Sequence, residues 1–442
     1  MTFSWYSGPK VAPYCAPRKY RTFSLTTVRL KRSMVSMKER YLTHYINNLC
    51  FSDHKIAFVS GPRQCGKTTL AKMMLAERGA GTYRNWDQIE FRREWTKSPS
   101  SIVPETDGQK IPIIVLDEIH KERRWKRNLK GIYDTLQSPC DIMVTGSARL
   151  SVYMKGSDSL LGRYFSFRLH PFSMRELENT VMPRPEEVME TLFSITPEHD
   201  MHRRTRLGDL LKYGPFPEPL IGQDERKTRM WRRNREQLVI REDLRDLSRL
   251  PDLSRIEMLA AIIPERVGNP FSKASVREDL ECRFDSLKRW LEWLKELYYL
   301  FEIKPYSKNI PRALKREGKV YLWDYGAIQD EGAKFENLVA CHLLKACHFW
   351  TDTGEGDFEL WYLRNKEKQE IDFLITRNNE PWLPVEVKLT DTIPSANWKK
   401  FMDFLPCRRA LQLVNTPIWQ NHRHGDSEIL VAGAAEALPL FV

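Results

Sequence analysis

The 442-residue sequence predicts an α/β chain: a parallel sheet with crossover helices, then a charged helical region, then a second α/β unit. Three observations carry this. From Lys55, short apolar runs alternate with amphipathic stretches, the pattern of parallel strands joined by helices. After Pro171 the strand-like runs stop, and Leu207 to about Leu300 reads as helical and heavily charged. A third unit starts near Glu331, where strand-like runs return behind a helix. A chain of this length exceeds what one core usually serves, so two or three domains are expected.

The elements follow in order. Candidate strands of the first unit are Ile56 to Ser60, Thr82 to Trp86, Ile113 to Asp117, Asp141 to Thr145 and Tyr164 to Leu169, with helices such as Lys67 to Glu77 and Trp125 to Leu136 between them. Ser98 to Lys110, with two prolines and a glycine, reads as a loop, and the Pro- and Glu-rich stretch Pro183 to Pro197 as a loop or short helical insert. In the helical region, REDLRDLSRL (Arg241 to Leu250) carries charge pairs on a solvated face. Helices at Ser272 to Glu281 and Asp285 to Tyr299, followed by strand-like Tyr321 to Asp324, suit a winged-helix module. The third unit has a helix from Lys334 to Cys347 and strands at Glu359 to Leu363, Glu370 to Thr376, Leu383 to Leu389 and Ala410 to Val414.

Composition excludes more than it selects. Hydrophobic residues make up 41% and charged residues 29%, as in soluble globular proteins. No apolar run approaches the roughly 20 residues of a membrane-spanning helix, so no membrane association is expected. Eight scattered cysteines with no CxxC predict free thiols and a cytoplasmic setting. The net charge is +12, but residues 1–36 hold seven basic side chains and no acid, which leaves 12 − 7 = +5 elsewhere. That is weak evidence for a polyanion partner. The basic start loosely resembles an organelle transit peptide; the other reading is translation from Met34 or Met37. Residues 1–36 are expected to be disordered under both.

GPRQCGKTT (Gly61, Pro62, Arg63, Gln64, Cys65, Gly66, Lys67, Thr68, Thr69) matches GxxxxGK[ST] between a strand and a helix, the context that makes the motif credible. Gly61 and Gly66 let the backbone wrap a β-phosphate, and the helix adds its positive end. Lys67 reaches the β- and γ-phosphates, and Thr68 takes a place on magnesium. IIVLDE (Ile113 to Glu118) is a buried strand ending in two carboxylates, where Asp117 orients magnesium and Glu118 polarises the attacking water. At the end of the next strand, a hydroxyl within Thr145 to Ser147 is placed to sense the γ-phosphate. Arg163, before the last strand, is a candidate finger toward a neighbouring subunit, and Arg149 a weaker one.

GPRQCGKTTL, IIVLDEIHK, TGSARL, LLGRYFSFRLHPFS, YGPFPEP, REDLRD, FENLVA, EIDFLI and PVEVK occur in this order. Together they resemble bacterial and archaeal AAA+-type ATPases with a C-terminal domain similar to PD-(D/E)XK nucleases, over roughly Met37 to the C-terminus. The resemblance implies an additional-strand P-loop core with Glu118 as catalytic base, Ser147 as sensor, Arg163 as finger, ATP as the nucleotide and homo-oligomeric assembly. Ala148 departs from a position that is often serine. The expected domains are 37–205 (AAA+-like), 206–325 (helical, winged-helix-like) and 326–442 (restriction-endonuclease-like).

In the third unit, Asp372 in EIDFLI and Glu386 with Lys388 in PVEVK form D-(x)n-E-x-K on two consecutive strands. Positions 386 and 388 share a face because the side-chain period of a strand is two. Asp372 and Glu386 are expected to hold magnesium, with Glu336 as a third carboxylate, Lys388 on the attacking water, and Gln412 as a further polar contact. CHLLKACH (Cys341 to His348) does not assemble a tetrahedral set on one helix, and Trp350, Trp361 and Trp382 read as core. Two functions follow. One is an oligomeric magnesium-dependent ATPase coupled to a nuclease-like domain that acts on or binds DNA or RNA. The other is a nucleotide-dependent switch whose C-terminal domain is a protein-interaction platform.

Overall fold

In this computed structural model, residues 39–104, 110–146, 150, 160–178, 181–244, 253–307 and 317–442 are described, and Arg40–Val442 forms one unit. The basic start, Ser147 and Arg149 lie outside the described residues.

Five strands make the first sheet: β1 (Ile56–Ser60), β2 (Gly81–Asn85), β3 (Ile113–Asp117), β4 (Asp141–Thr145) and β5 (Tyr164–Arg168). All are parallel, in the order β2-β3-β4-β1-β5. Strands β1, β3 and β4 are buried at every position, as parallel strands covered on both faces must be. Alternation sends Ala57, Val59 and Val115 to one core and Ile56, Phe58 and Leu116 to the other. Each such buried Val, Ile, Leu or Phe side chain contributes about 1.5–3 kcal/mol. The crossover helices are α1 (Lys67–Arg78), α2 (Ile89–Lys97) and α3 (Trp125–Asp134). Helix α1 stops at Gly79, whose φ of 67° serves as a left-handed cap.

Beyond β5 come α4 (Met174–Glu178) and α5 (Pro185–Ser194), so the stretch around Pro183 to Pro197 is helical. The helical region contains α6 (Met201–Tyr213), α7 (Pro217–Gly222), α8 (Glu225–Gln237), α9 (Leu253–Ile262), α10 (Lys273–Asp279) and α11 (Phe284–Glu296). Helix α11 buries Leu287, Trp290, Leu291 and Leu294, one stripe at helical spacing.

A hairpin of β6 (Leu300–Pro305) and β7 (Lys319–Leu322) follows α11, as a wing would. It lies before the boundary expected at residue 325, yet β6 pairs with β8 (Phe358–Arg364) and so joins the second sheet. That sheet continues with β9 (Glu370–Arg377), β10 (Glu380–Lys388), β11 (Arg409–Val414), β12 (Trp419–His424) and β13 (Ser427–Gly433), in the order β12-β13-β11-β10-β9-β8-β6-β7. Asn378 and Asn379, at φ of 52° and 66°, turn β9 into β10. The long helix α12 (Glu331–Asp352) covers the sheet, and Asp330 caps it by accepting from Ala333 N at 2.7 Å. One apolar core runs without a break from Tyr41 and the face of β1 through α11 and α12 to Val442.

Candidate functional site

Because β4 is inserted between β1 and β3, three strand tips converge at the carboxyl edge of the first sheet, where open parallel sheets bind ligands. The loop Gly61–Gly66 leaves β1 there. Gly61 has φ 155° and Gly66 φ 101°; a Cβ on Gly61 would meet Leu169 O at 2.3 Å. The loop geometry therefore requires glycine at these two places. Lys67 is buried and donates from Nζ to Gly61 O (2.9 Å) and Pro62 O (2.7 Å). Its ammonium is held inside the loop by weak neutral acceptors that a phosphate oxygen would outcompete.

Asp117 is the hub of the site. Its Oδ2 accepts from Thr68 Oγ1 (2.9 Å) and Tyr83 Oη (2.6 Å), and its Oδ1 from Thr145 Oγ1 (2.6 Å). Thr145 is aligned by the register that pairs it with Asp117. Burial and the bond to Asp117 push the Tyr83 hydroxyl up to about 12, which keeps it a donor. Tyr83 is a site residue that its sequence context, an ordinary GTYRN strand, did not reveal. Glu118 follows in left-handed backbone, φ 59°. Burial raises its carboxyl above the usual range, while Lys67 and Lys121 pull the other way. His120 Nε2 lies 3.6 Å from Glu118 Oε2. A glycine cradle, a buried ammonium, a hydroxyl–carboxylate pair and a part-buried second carboxylate fit a nucleotide and its magnesium ion.

Arg163 sits at the opposite end of the sheet. Its carbonyl accepts from Ile56 N at the start of β1, about 16 Å along the strand from the loop of its own chain. Its guanidinium is part-exposed and paired with Asp134 at 2.7 and 3.2 Å.

Beneath the loop lies a group that sequence spacing gave no sign of. Arg40, Glu176 and Lys345 are 2%, 0% and 1% exposed. Arg40 donates from Nη1 to Cys65 O in the loop, from Nη2 to His170 O (2.6 Å) and from Nε to Glu176 Oε1 (2.6 Å). Lys345, on α12, donates to Glu176 Oε2 (2.7 Å) and Ser173 Oγ (2.9 Å). Two cations share one carboxylate, and the faces of Phe172 (4.6 Å from Arg40) and Tyr41 (4.2 Å from Lys345) offset the excess charge. Burial lowers Lys345 to about 8 despite its carboxylate partner. Alongside, Arg168 pairs with Asp352 at 2.6 Å, and His170 Nε2 meets His348 Nδ1 at 2.8 Å. His342 accepts from Met174 N at 2.9 Å. The CHLLKACH residues thus tie α12 to the first domain.

At the second sheet, Asp372 and Glu386 are buried on neighbouring strands. Asp372 Oδ2 accepts from Val387 N (2.9 Å), and Glu386 Oε2 accepts from Asp372 N (3.3 Å). Lys388 Nζ pairs with Glu386 Oε1 at 2.8 Å. Glu336 reaches the same cluster from α12, where Tyr321 Oη donates to it at 2.7 Å. The cluster also holds a cation that the motif did not predict. Lys319 is 1% exposed, and its Nζ lies 2.9 Å from Glu370, 3.1 Å from Asp372 and 3.3 Å from Glu336. Among the described residues no group of three or more acidic, histidine or cysteine side chains is arranged to hold a metal ion. The expected magnesium on Asp372 and Glu386 does not fit, because an ammonium already sits among the carboxylates. Gln412 lies beside Glu386 on the neighbouring strand, and its side chain bonds a loop instead. It is fully buried and holds the 391–398 loop, donating to Asp391 O and Ile393 O and accepting from Ser395 N and Trp398 Nε1.

The strand order, the glycine loop and the Asp117–Glu118 pair define a P-loop ATPase fold of AAA type in the first domain. Residues 53–178 match the AAA domain family, residues 204–329 a domain of unknown function (DUF8612), and residues 331–432 another (DUF4143). An uncharacterized protein of Haemophilus influenzae is 22% identical over 379 residues, covering 79% of this chain and 86% of its own. An uncharacterized protein of Methanocaldococcus jannaschii is 24% identical over 352 residues, covering 70% and 71%. A solved Walker-type ATPase of Pyrococcus abyssi is 18% identical, with a TM-score of 0.39, covering 66% of this chain and 94% of its own. No described helix is long and apolar enough to cross a membrane.

Proposed function

We propose that this chain is a magnesium-dependent ATPase that works as a nucleotide-dependent switch, with its C-terminal domain as the responding part. Bound Mg2+–ATP supplies the electrophilic γ-phosphate. Lys67 and the loop amides orient and neutralise the phosphates, and Thr68 with Asp117 takes the metal side. Tyr83 and Thr145 fix the Asp117 carboxylate. Glu118, raised by burial and held by Lys121, accepts the proton of the attacking water. In this reading Arg163 acts on the nucleotide of a neighbouring copy, and a homo-oligomer is the working form.

The observation that carries the switch reading is Arg40. It bonds the loop carbonyl of Cys65 and shares Glu176 with Lys345 of α12. A change in loop conformation when phosphate draws Lys67 away from Gly61 and Pro62 bears directly on that shared carboxylate. Amide hydrogen exchange of Glu118→Gln, with and without ATP, tests this. Exchange over residues 331–352 is expected to change on ATP addition; an unaltered α12 in protein that binds ATP would sink the coupling.

The D-(x)n-E-x-K order on β9 and β10 supports a second reading, in which the C-terminal domain engages DNA or RNA. Binding of DNA or RNA that Lys388→Ala weakens, with ATP binding intact, would establish it in place of the switch.

A further inference from the structure

We infer that Lys319 is the resident cation of the C-terminal carboxylate cluster, standing where a divalent ion would, so that the cluster is a metal-independent ionic lock rather than a cleavage site. The inference goes beyond the switch reading and concerns a site remote from the nucleotide loop.

The local structure delivers Lys319 to this place. Strand β7 is clamped onto α12 by Asn337, whose side-chain amide accepts from Leu322 N and donates to Leu322 O, both at 2.8 Å. It thereby mimics a neighbouring strand. Lys319 and Tyr321, two residues apart, then share one face, and both reach Glu336 Oε1. The Lys319 ammonium also lies 5.6 Å from the centre of the Tyr362 ring. It is enclosed, with acids from α12 and β9 on its free side.

Charge balance points the same way. Four carboxylates gather here: Glu336, Glu370, Asp372 and Glu386. Three cations are paired with them: Lys319, Lys388 and Arg364, the last 2.7 Å from Glu370. The cluster is within one charge of neutral before any ion enters. Burial, and then the nearness of Asp372, raise Glu336 and Glu386 above the usual carboxylate range, so a single retained proton completes the balance. A divalent ion would have to displace an ammonium tethered at very high effective concentration and leave it buried without partners. Removing that ammonium leaves Glu336 of α12 with Glu370 and Asp372 of β9 around the volume it filled, which is a latent divalent-cation site.

Calorimetric titration of the full chain with Mn2+, in the absence of nucleotide, tests this on wild type, Asp372→Asn, Lys319→Met and Lys319→Met combined with Asp372→Asn. Wild type is expected to show no Mn2+ site that Asp372→Asn removes. Lys319→Met is expected to gain one site per chain and a Mn2+-dependent rise in melting temperature, both lost on adding Asp372→Asn. Wild type that binds Mn2+ through Asp372 would overturn the inference, as would folded Lys319→Met that gains no site. Should Lys319→Met fail to fold, the comparison of wild type with Asp372→Asn decides alone. ATP binding and turnover, measured on the same preparations, report separately on the switch reading, because Lys319 touches nothing at the nucleotide loop.

Discussion

Lys345 of the C-terminal helix and Arg40 beneath the nucleotide loop hold opposite oxygens of one buried carboxylate, Glu176, at 2.7 and 2.6 Å. The two cations come from positions 40 and 345, and Glu176 is the carboxylate that both pair with. Nucleotide site and C-terminal domain therefore share an ion pair as well as a core.

Glu176→Gln is expected to cost about 3–5 kcal/mol of unfolding free energy at neutral pH, since it strands two buried cations. Burial pushes the Glu176 carboxyl up, but Arg40 and Lys345 pull it further down, so it lies below its usual value. A carboxylate lowered by folding contributes stability above its unfolded pKa and loses it as pH falls through the folded one. Denaturant titration should find the gap between wild type and Glu176→Gln narrowing as pH falls below about pH 4. A gap that widens on acidification would contradict the ion pair.

Tyr83→Phe removes a 2.6 Å bond to Asp117 and leaves the ring in place. Bonds to charged groups are worth about 1.5 kcal/mol or more, so turnover should fall roughly tenfold with little change in ATP affinity. An equal loss in affinity and none in turnover would place Tyr83 outside the reacting geometry.

Glu118 must be ionised to accept a proton, and burial raises its pKa. The acid limb of the kcat profile is therefore expected above the ordinary carboxylate range. Lys121, 3.7 Å from Glu118, holds it down, so Lys121→Gln should move that limb to still higher pH. A shift to lower pH would assign the limb to another group.

Arg163 is far from its own loop and part-exposed, so its action on ATP requires a second copy. Arg163→Ala and Lys67→Ala are each expected to lose turnover, the second through loss of nucleotide binding. A mixture of the two should regain activity, because Lys67→Ala subunits supply Arg163 to intact loops. Mixtures that stay inactive would remove the finger role.

Much of this was legible in the sequence where the cause is local. Strands β1, β3 and β4 read correctly because burial on both faces demands unbroken apolar runs. The loop and the Asp117–Glu118 pair announce themselves because phosphate chemistry fixes residue types at fixed spacing. Strand β12, WQNHRH, lies at the sheet edge with mostly part-exposed or exposed residues and carries no apolar alternation to read. Helix α12 begins at Glu331, one turn before the Lys334 expected from the sequence, with Asp330 as its N-cap. Arg40 and Lys319 were invisible for a different reason. Their partners lie 136 and 53 residues away, and a lone basic residue in a strand or loop looks the same whether it faces water or a buried acid.

The most direct test of the account is steady-state hydrolysis of Mg2+–ATP by Glu118→Gln beside wild type, with nucleotide affinity measured on both. Retained affinity with turnover reduced by about 10²–10⁴-fold is the predicted result, the range that a positioned general base supplies. Turnover equal to wild type in Glu118→Gln would contradict the assignment of this site as the ATPase centre.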